Sequence, residues 1–139
     1  MTKNVTVTWL QKKQFVGVGD NKRSVVMSGQ DEDNLIGVSP SEMLLLGLAG
    51  CSAYDVVGIL EKKKFKLTGF EVRVRGEQEA DPPWPYRQIH MEYILRGRGL
   101  TEKAVSDAIH LSESKYCSVA ATIRPTAEIT TSFQIIEDE

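Results

Sequence analysis

The chain is poor in the residues that staple or metallate small proteins. Its 139 residues include two cysteines and two histidines, too few for a disulfide scaffold, and no C-x-x-C or H-x-x-x-H spacing suggests a zinc module. It has no excess of either charge: 17 Lys and Arg face 19 Asp and Glu, a formal net charge of −2. A chain so balanced carries no basic surface for nucleic acid or an anionic membrane. Long apolar runs are also missing. The most apolar stretch, residues 43–49, is too short to span a bilayer. The N-terminus alternates polar and apolar residues and has no apolar h-region of a signal peptide, so the expected compartment is the cytoplasm, where thiols stay reduced. No G-x-G-x-x-G, Walker or G-x-S-x-G sequence occurs, and neither a cofactor nor a metal is expected. Without repeats, linkers or low-complexity tracts, residues 1–139 read as one domain.

What is present is a sequence of short alternating segments around one apolar helix. Val5, Val7 and Trp9 alternate with threonines, the pattern of a half-buried strand, and residues 15–19 and 24–28 suggest two more strands. Residues 30–37 are polar and read as loop. Ser39, Pro40 and Glu42 then form a helix start: an N-cap, a proline at the first helical position, and the glutamate of a capping box. Residues 43–59 are apolar nearly all round, which marks a helix buried on most sides, and Lys62, Lys63 and Lys64 suit its C-terminus. Phe70, Val72 and Val74, then Ile89, Met91, Tyr93 and Leu95, define two strands separated by the break at 81–85. Thr101 caps a second helix, and Ala127, Ile129, Thr131, Phe133 and Ile135 alternate in a last strand. The order βββ-α-ββ-α-β predicts an α+β fold with a mainly antiparallel sheet and a long buried central helix. One sheet covers one side of such a helix, so a symmetric dimer that packs the two long helices is expected.

The chemistry rests on Cys51, inside the apolar helix, and Cys117, 66 residues later, just after the second helix. A thiolate is the nucleophile toward peroxides and disulfides, and apolar surroundings disfavour it. The helix dipole does not help Cys51, which lies 11 residues beyond Pro40, about 16 Å along the axis and far outside the first turn. A cation must come from another element. Arg23 is the first candidate, with Lys115 and Arg124 as others. Free cysteines are also common core residues, and inert packing predicts sulfurs far apart. Gly47 and Gly50 each cost the helix about 1 kcal/mol relative to alanine and so point to close packing or to room beside the sulfur. Neither His90 nor His110 joins the cysteines by spacing, and His90 falls on the polar face of its strand.

The Ser-Pro-x-Glu helix start leading to Gly47-Leu-Ala-Gly-Cys51, with Tyr116-Cys117-Ser118-Val119 after a second helix, resembles the OsmC/Ohr family of organic-hydroperoxide and osmotic-stress proteins. The likeness is greatest to its YhfA-like branch, which shares Val56-Val57, Ile59-Leu60 and Lys115-Tyr-Cys-Ser-Val119. The resemblance implies an OsmC-like fold and an intertwined homodimer with both sites at the subunit interface. It also implies a thiol-dependent peroxidase acting on a small organic hydroperoxide. Cys51 would be the peroxidatic thiolate and Cys117 the resolving thiol, with a dithiol as reductant. Two positions depart from the pattern. The family's catalytic glutamate directly follows the proline, where this chain has Ser41. Glu42 lies nine residues before Cys51, a rotation of about 180° on a straight helix, and the capping box accounts for it without catalysis. The family's arginine comes from the early strands, where only Arg23 is available. A second reading is therefore a non-catalytic dimer that holds a small apolar or thiol ligand in its interface pocket.

Overall fold

The computed structural model describes all 139 residues, which divide into two compact units, residues 1–44 and 45–139. In the first, β1 (Thr6–Gln11), β2 (Gln14–Val18) and β3 (Ser24–Ser28) form an antiparallel meander in the order β1-β2-β3. The alternation in β1 predicts a half-buried strand, yet all six residues are exposed, with Trp9 at 64%. Period-two patterning defines two faces, but burial requires a covering layer, and β1 has none in the single chain. The loop expected at 30–37 is tied down by buried polar groups. Ser28 Oγ donates to Gly37 O at 3.2 Å, and Asn34 Oδ1 accepts from Lys13 N at 3.0 Å.

Helix α1 (Pro40–Lys62) begins with the expected capping box. Glu42 Oε1 accepts from Ser39 N at 3.0 Å, and Ser39 Oγ accepts from Glu42 N at 3.2 Å. These bonds to Ser39 hold the Glu42 carboxyl below its ordinary pKa. By length and composition α1 could cross a membrane, but its buried residues Leu48, Ser52, Val56 and Leu60 recur every four positions, the mark of a helix lying on a core.

That core belongs to the second unit. β4 (Leu67–Gln78), β5 (Tyr86–Gly97) and β6 (Glu128–Glu137) form a sheet in the order β4-β5-β6. β4 and β5 are antiparallel, whereas β5 and β6 pair in parallel, Ile89 opposite Ile129. The antiparallel expectation thus holds for three of the four pairings. The exception arises because the chain between β5 and β6 crosses over through α2 (Glu102–Leu111) instead of a hairpin. Ile89, Met91, Tyr93 and Leu95 point from β5 into the core with Leu48, Val56 and Leu60 of α1 and Val105 and Ala108 of α2. His90 faces the other way, its ring nitrogens 2.7 Å from Thr130 Oγ1 and 2.9 Å from Ser132 Oγ.

The region after α2 departs from expectation. α2 starts as predicted, with Thr101 Oγ1 accepting from Ala104 N at 3.1 Å. It then runs into one π-helical turn, Ser112–Tyr116, and a further short helix follows, α3 (Ser118–Ile123). Only glycine fits where the β4–β5 pair begins: a Cβ on Gly97 would stand 2.6 Å from Lys66 O. Gly97→Ala must therefore shift the backbone of β4 or β5. It is expected to destabilise the protein by about 1–3 kcal/mol, read as a lower urea midpoint with an unchanged m-value.

Candidate functional site

Three elements of the second unit converge on the two cysteines. Cys51 and Asp55 are one turn apart on α1 and so share a face. Cys117 is placed by the π turn, where its N–H donates to Ser112 O at 2.8 Å. It also serves as N-cap of α3, its Sγ accepting from Ala120 N at 3.4 Å. The result brings the two sulfurs and a carboxylate oxygen of Asp55 within 4.8 Å of one another. Both cysteines are free thiols, Cys51 half-buried and Cys117 buried. Sulfurs this close are not the separated pair that inert packing predicts.

Behind the thiols lies a row of buried hydroxyls. Tyr93 Oη is 2.5 Å from Ser52 Oγ, and Ser112 Oγ is 3.1 Å from Ser52 Oγ and 2.9 Å from Asp55 Oδ2. An ionised carboxylate only accepts, so the single proton of Ser112 goes to Asp55, and Ser112 Oγ is free to accept from Ser52. The row links the strand tyrosine to the helix carboxylate. No buried side-chain nitrogen or oxygen in the chain lacks a partner.

The electrostatics around the thiols are unfavourable for anions. Burial pushes the Cys117 thiol up to about 11; the Ala120 N–H opposes this, while the Cys51 thiol and the Asp55 carboxylate add to it. Burial likewise pushes the Tyr93 hydroxyl up to about 12, against the hydrogen bond to Ser52. The cations of this unit that sequence reasoning considered are engaged elsewhere. Lys115 Nζ sits 5.3 Å from the centroid of the Tyr116 ring, and Arg124 donates to Glu113 O at 2.7 Å. Arg23 and Glu42 both belong to the first unit. The Arg23 N–H donates to Asn21 Oδ1 at 3.0 Å in the turn before β3, and Glu42 caps α1.

Sequence reasoning missed Asp55, because the search around Cys51 sought cations and histidines. The signal was its position four residues on, along one helix face. Ser52 and Ser112 gave a weaker signal, as polar residues at otherwise apolar positions.

A testable consequence concerns pH. The folded state holds the Cys117 proton up to about pH 11, against an ordinary value of 9.0. The group therefore contributes stability that is complete below the unfolded pKa and is lost as pH rises through the folded one. The stability advantage of the wild type over Cys117→Ala should be constant below about pH 8 and shrink at higher pH, as followed by urea denaturation of both proteins.

Comparison with known proteins places this geometry in a family. Residues 29–132 match the model described as OsmC-like protein. The chain is 35% identical to Protein YhfA of Escherichia coli strain K12 over 130 residues, covering 94% of this chain and 96% of that protein. A hypothetical protein from Aquifex aeolicus VF5 has a similar structure, with a TM-score of 0.89 at 26% identity, covering 100% of this chain and 99% of the other. An organic hydroperoxide resistance protein OsmC from Legionella pneumophila has a TM-score of 0.68 at 11% identity, covering 96% and 97% of the two chains. That last likeness shows the fold alone. The α+β architecture, the paired cysteine segments and the match to the family model agree: this chain belongs to the OsmC-like protein family.

Proposed function

We propose that this protein is a cytoplasmic, homodimeric thiol peroxidase that reduces small organic hydroperoxides. The observation that carries the reading is the closeness of two free thiols of unequal exposure, Cys51 half-buried and Cys117 buried. Cys51 is the thiol a peroxide can reach. Its thiolate attacks one peroxide oxygen and breaks the O–O bond; Cys51 becomes a sulfenic acid, and the alkoxide leaves as alcohol after taking a proton. The Cys117 sulfur then attacks the sulfenic sulfur, giving the disulfide and water. A dithiol reductant restores both thiols by exchange. Keeping Cys117 protonated until that step suits a resolving thiol, which must not compete for peroxide. Glu42 is assigned to capping.

The homodimer is supported by what one chain leaves uncovered. Leu46 and Tyr54 of α1 are exposed, and a Cβ on Gly47, Gly50 or Gly58 would meet no atom within 4 Å. Helix glycines are costly, and a second helix packed closely against these positions gives them a reason. Sedimentation should return twice the 15.5 kDa chain mass.

A second reading, a non-catalytic dimer that binds a small apolar or thiol ligand, is favoured by one feature. A groove of about 640 Å³ runs along this same face of α1, lined by Gly50, Tyr54, Val57, Lys62 and Tyr116, and in this reading the ligand occupies what remains of it at the dimer interface. Stopped-flow oxidation by cumene hydroperoxide separates the two. Peroxidase activity predicts that Cys51 reacts at least about 100-fold faster than a free thiol, about 3 kcal/mol of barrier. Cys51→Ser should abolish the reaction, and Cys117→Ser should leave a sulfenic acid that dimedone traps. Oxidation at the free-thiol rate, unchanged in Cys51→Ser, would overturn the proposal.

A further inference from the structure

Cys51, Asp55 and Cys117 have a chemical property that the peroxide reading does not use. Two sulfurs and a carboxylate oxygen lie within 4.8 Å of one another, all three groups are anionic when ionised, and the nearby Lys115 and Arg124 are directed elsewhere. We propose that these three residues form a binding site for a thiophilic divalent cation, of which zinc fits best. The inference does not depend on the peroxidase reading.

The donor set selects the metal. Two thiolates exclude calcium and magnesium, which take oxygen ligands, and favour zinc. Zinc–sulfur bonds of about 2.3 Å in a tetrahedron place the ligand atoms roughly 3.8 Å apart. Closing the present spacing to that distance takes side-chain adjustments of about 1 Å or less, without a new backbone path. The supports resemble those of metal ligands. Asp55 Oδ2 accepts a hydrogen bond from the buried Ser112 hydroxyl, which orients the carboxylate and leaves it a second oxygen for the metal. Cys117 is held at both ends, its N–H on Ser112 O and its Sγ under the Ala120 N–H. Cys51 and Asp55 share one helix face, and their partial exposure leaves a fourth position for water or an exogenous ligand. Binding replaces two S–H protons: Zn²⁺ displaces one from each thiol, two protons pass to solvent, and nothing is oxidised or reduced. A zinc-loaded site holds both sulfurs as ligands and thus shields them from oxidation.

The test uses the full-length reduced protein, anaerobic and without peroxide, so its outcome is separate from that of the kinetic assay. Cobalt(II) titration should give thiolate-to-cobalt charge-transfer absorption and tetrahedral d–d bands at one equivalent per chain, and zinc should abolish both. The charge-transfer band should vanish in Cys51→Ser and Cys117→Ser. Asp55→Asn should keep the fold by circular dichroism but weaken zinc at least about tenfold, and Ser112→Ala should weaken it about 10- to 100-fold. Bound zinc should slow thiol reaction with a disulfide reagent. The absence of charge-transfer absorption in the wild type would overturn the site. So would zinc affinity unaltered in Asp55→Asn.

Discussion

The structure around the cysteines depends on one buried polar connection. Tyr93 of β5, Ser52 of α1 and Ser112 at the start of the π turn are all nearly inaccessible to water, and they are joined to one another and to Asp55. A buried hydroxyl without a partner costs about 1–3 kcal/mol, so each of these groups is tolerable only while the others keep their places. Apolar packing of Leu48, Val56 and Leu60 against β5 is less selective, because a helix can slide or rotate slightly on a sheet at modest cost. The hydroxyl row permits one register. It aligns α1 with β5 and brings the turn before Cys117 to the helix face that carries Cys51.

This arrangement bears on both proposed uses of the site. Catalysis by a thiolate needs positive potential at the sulfur, whereas the groups placed around Cys117 push its proton on more firmly. A protonated, buried Cys117 beside a half-buried Cys51 divides the labour of two thiols by access instead of by charge. The same crowding of potential anions is what a divalent cation would relieve. A metal held by both sulfurs would leave neither free for the proposed reaction with peroxide, so the two proposals exclude each other at any moment.

Much of this was legible in the sequence, for identifiable reasons. Strand β5 was evident because Ile89, Met91, Tyr93 and Leu95 alternate over a full strand length, and the start of α1 because Ser39, Pro40 and Glu42 form a local, self-contained cap. The parallel pairing of β6 was hidden, since alternation reports a strand's faces but not its neighbour's direction. The short helix α3 was hidden too. Six residues are too few for a helical period, and cysteine is not a customary N-cap. The convergence of Cys51 with Cys117 came from resemblance of their flanking residues, not from spacing. Asp55 shares a helix face with Cys51, a signal the sequence carries, but its nearness to Cys117 arises only where α1 and the π turn meet.

The capping role of Cys117 has a consequence for how the molecule reports its own state. Its sulfur is the acceptor for the Ala120 N–H at the first turn of α3, a helix of six residues with little cooperativity to spare. A coordinate bond to a metal would commit one of the sulfur's lone pairs and weaken that acceptor, whereas a disulfide replaces the S–H bond and leaves both lone pairs. The first turn of α3 would in that way depend on what the buried sulfur binds.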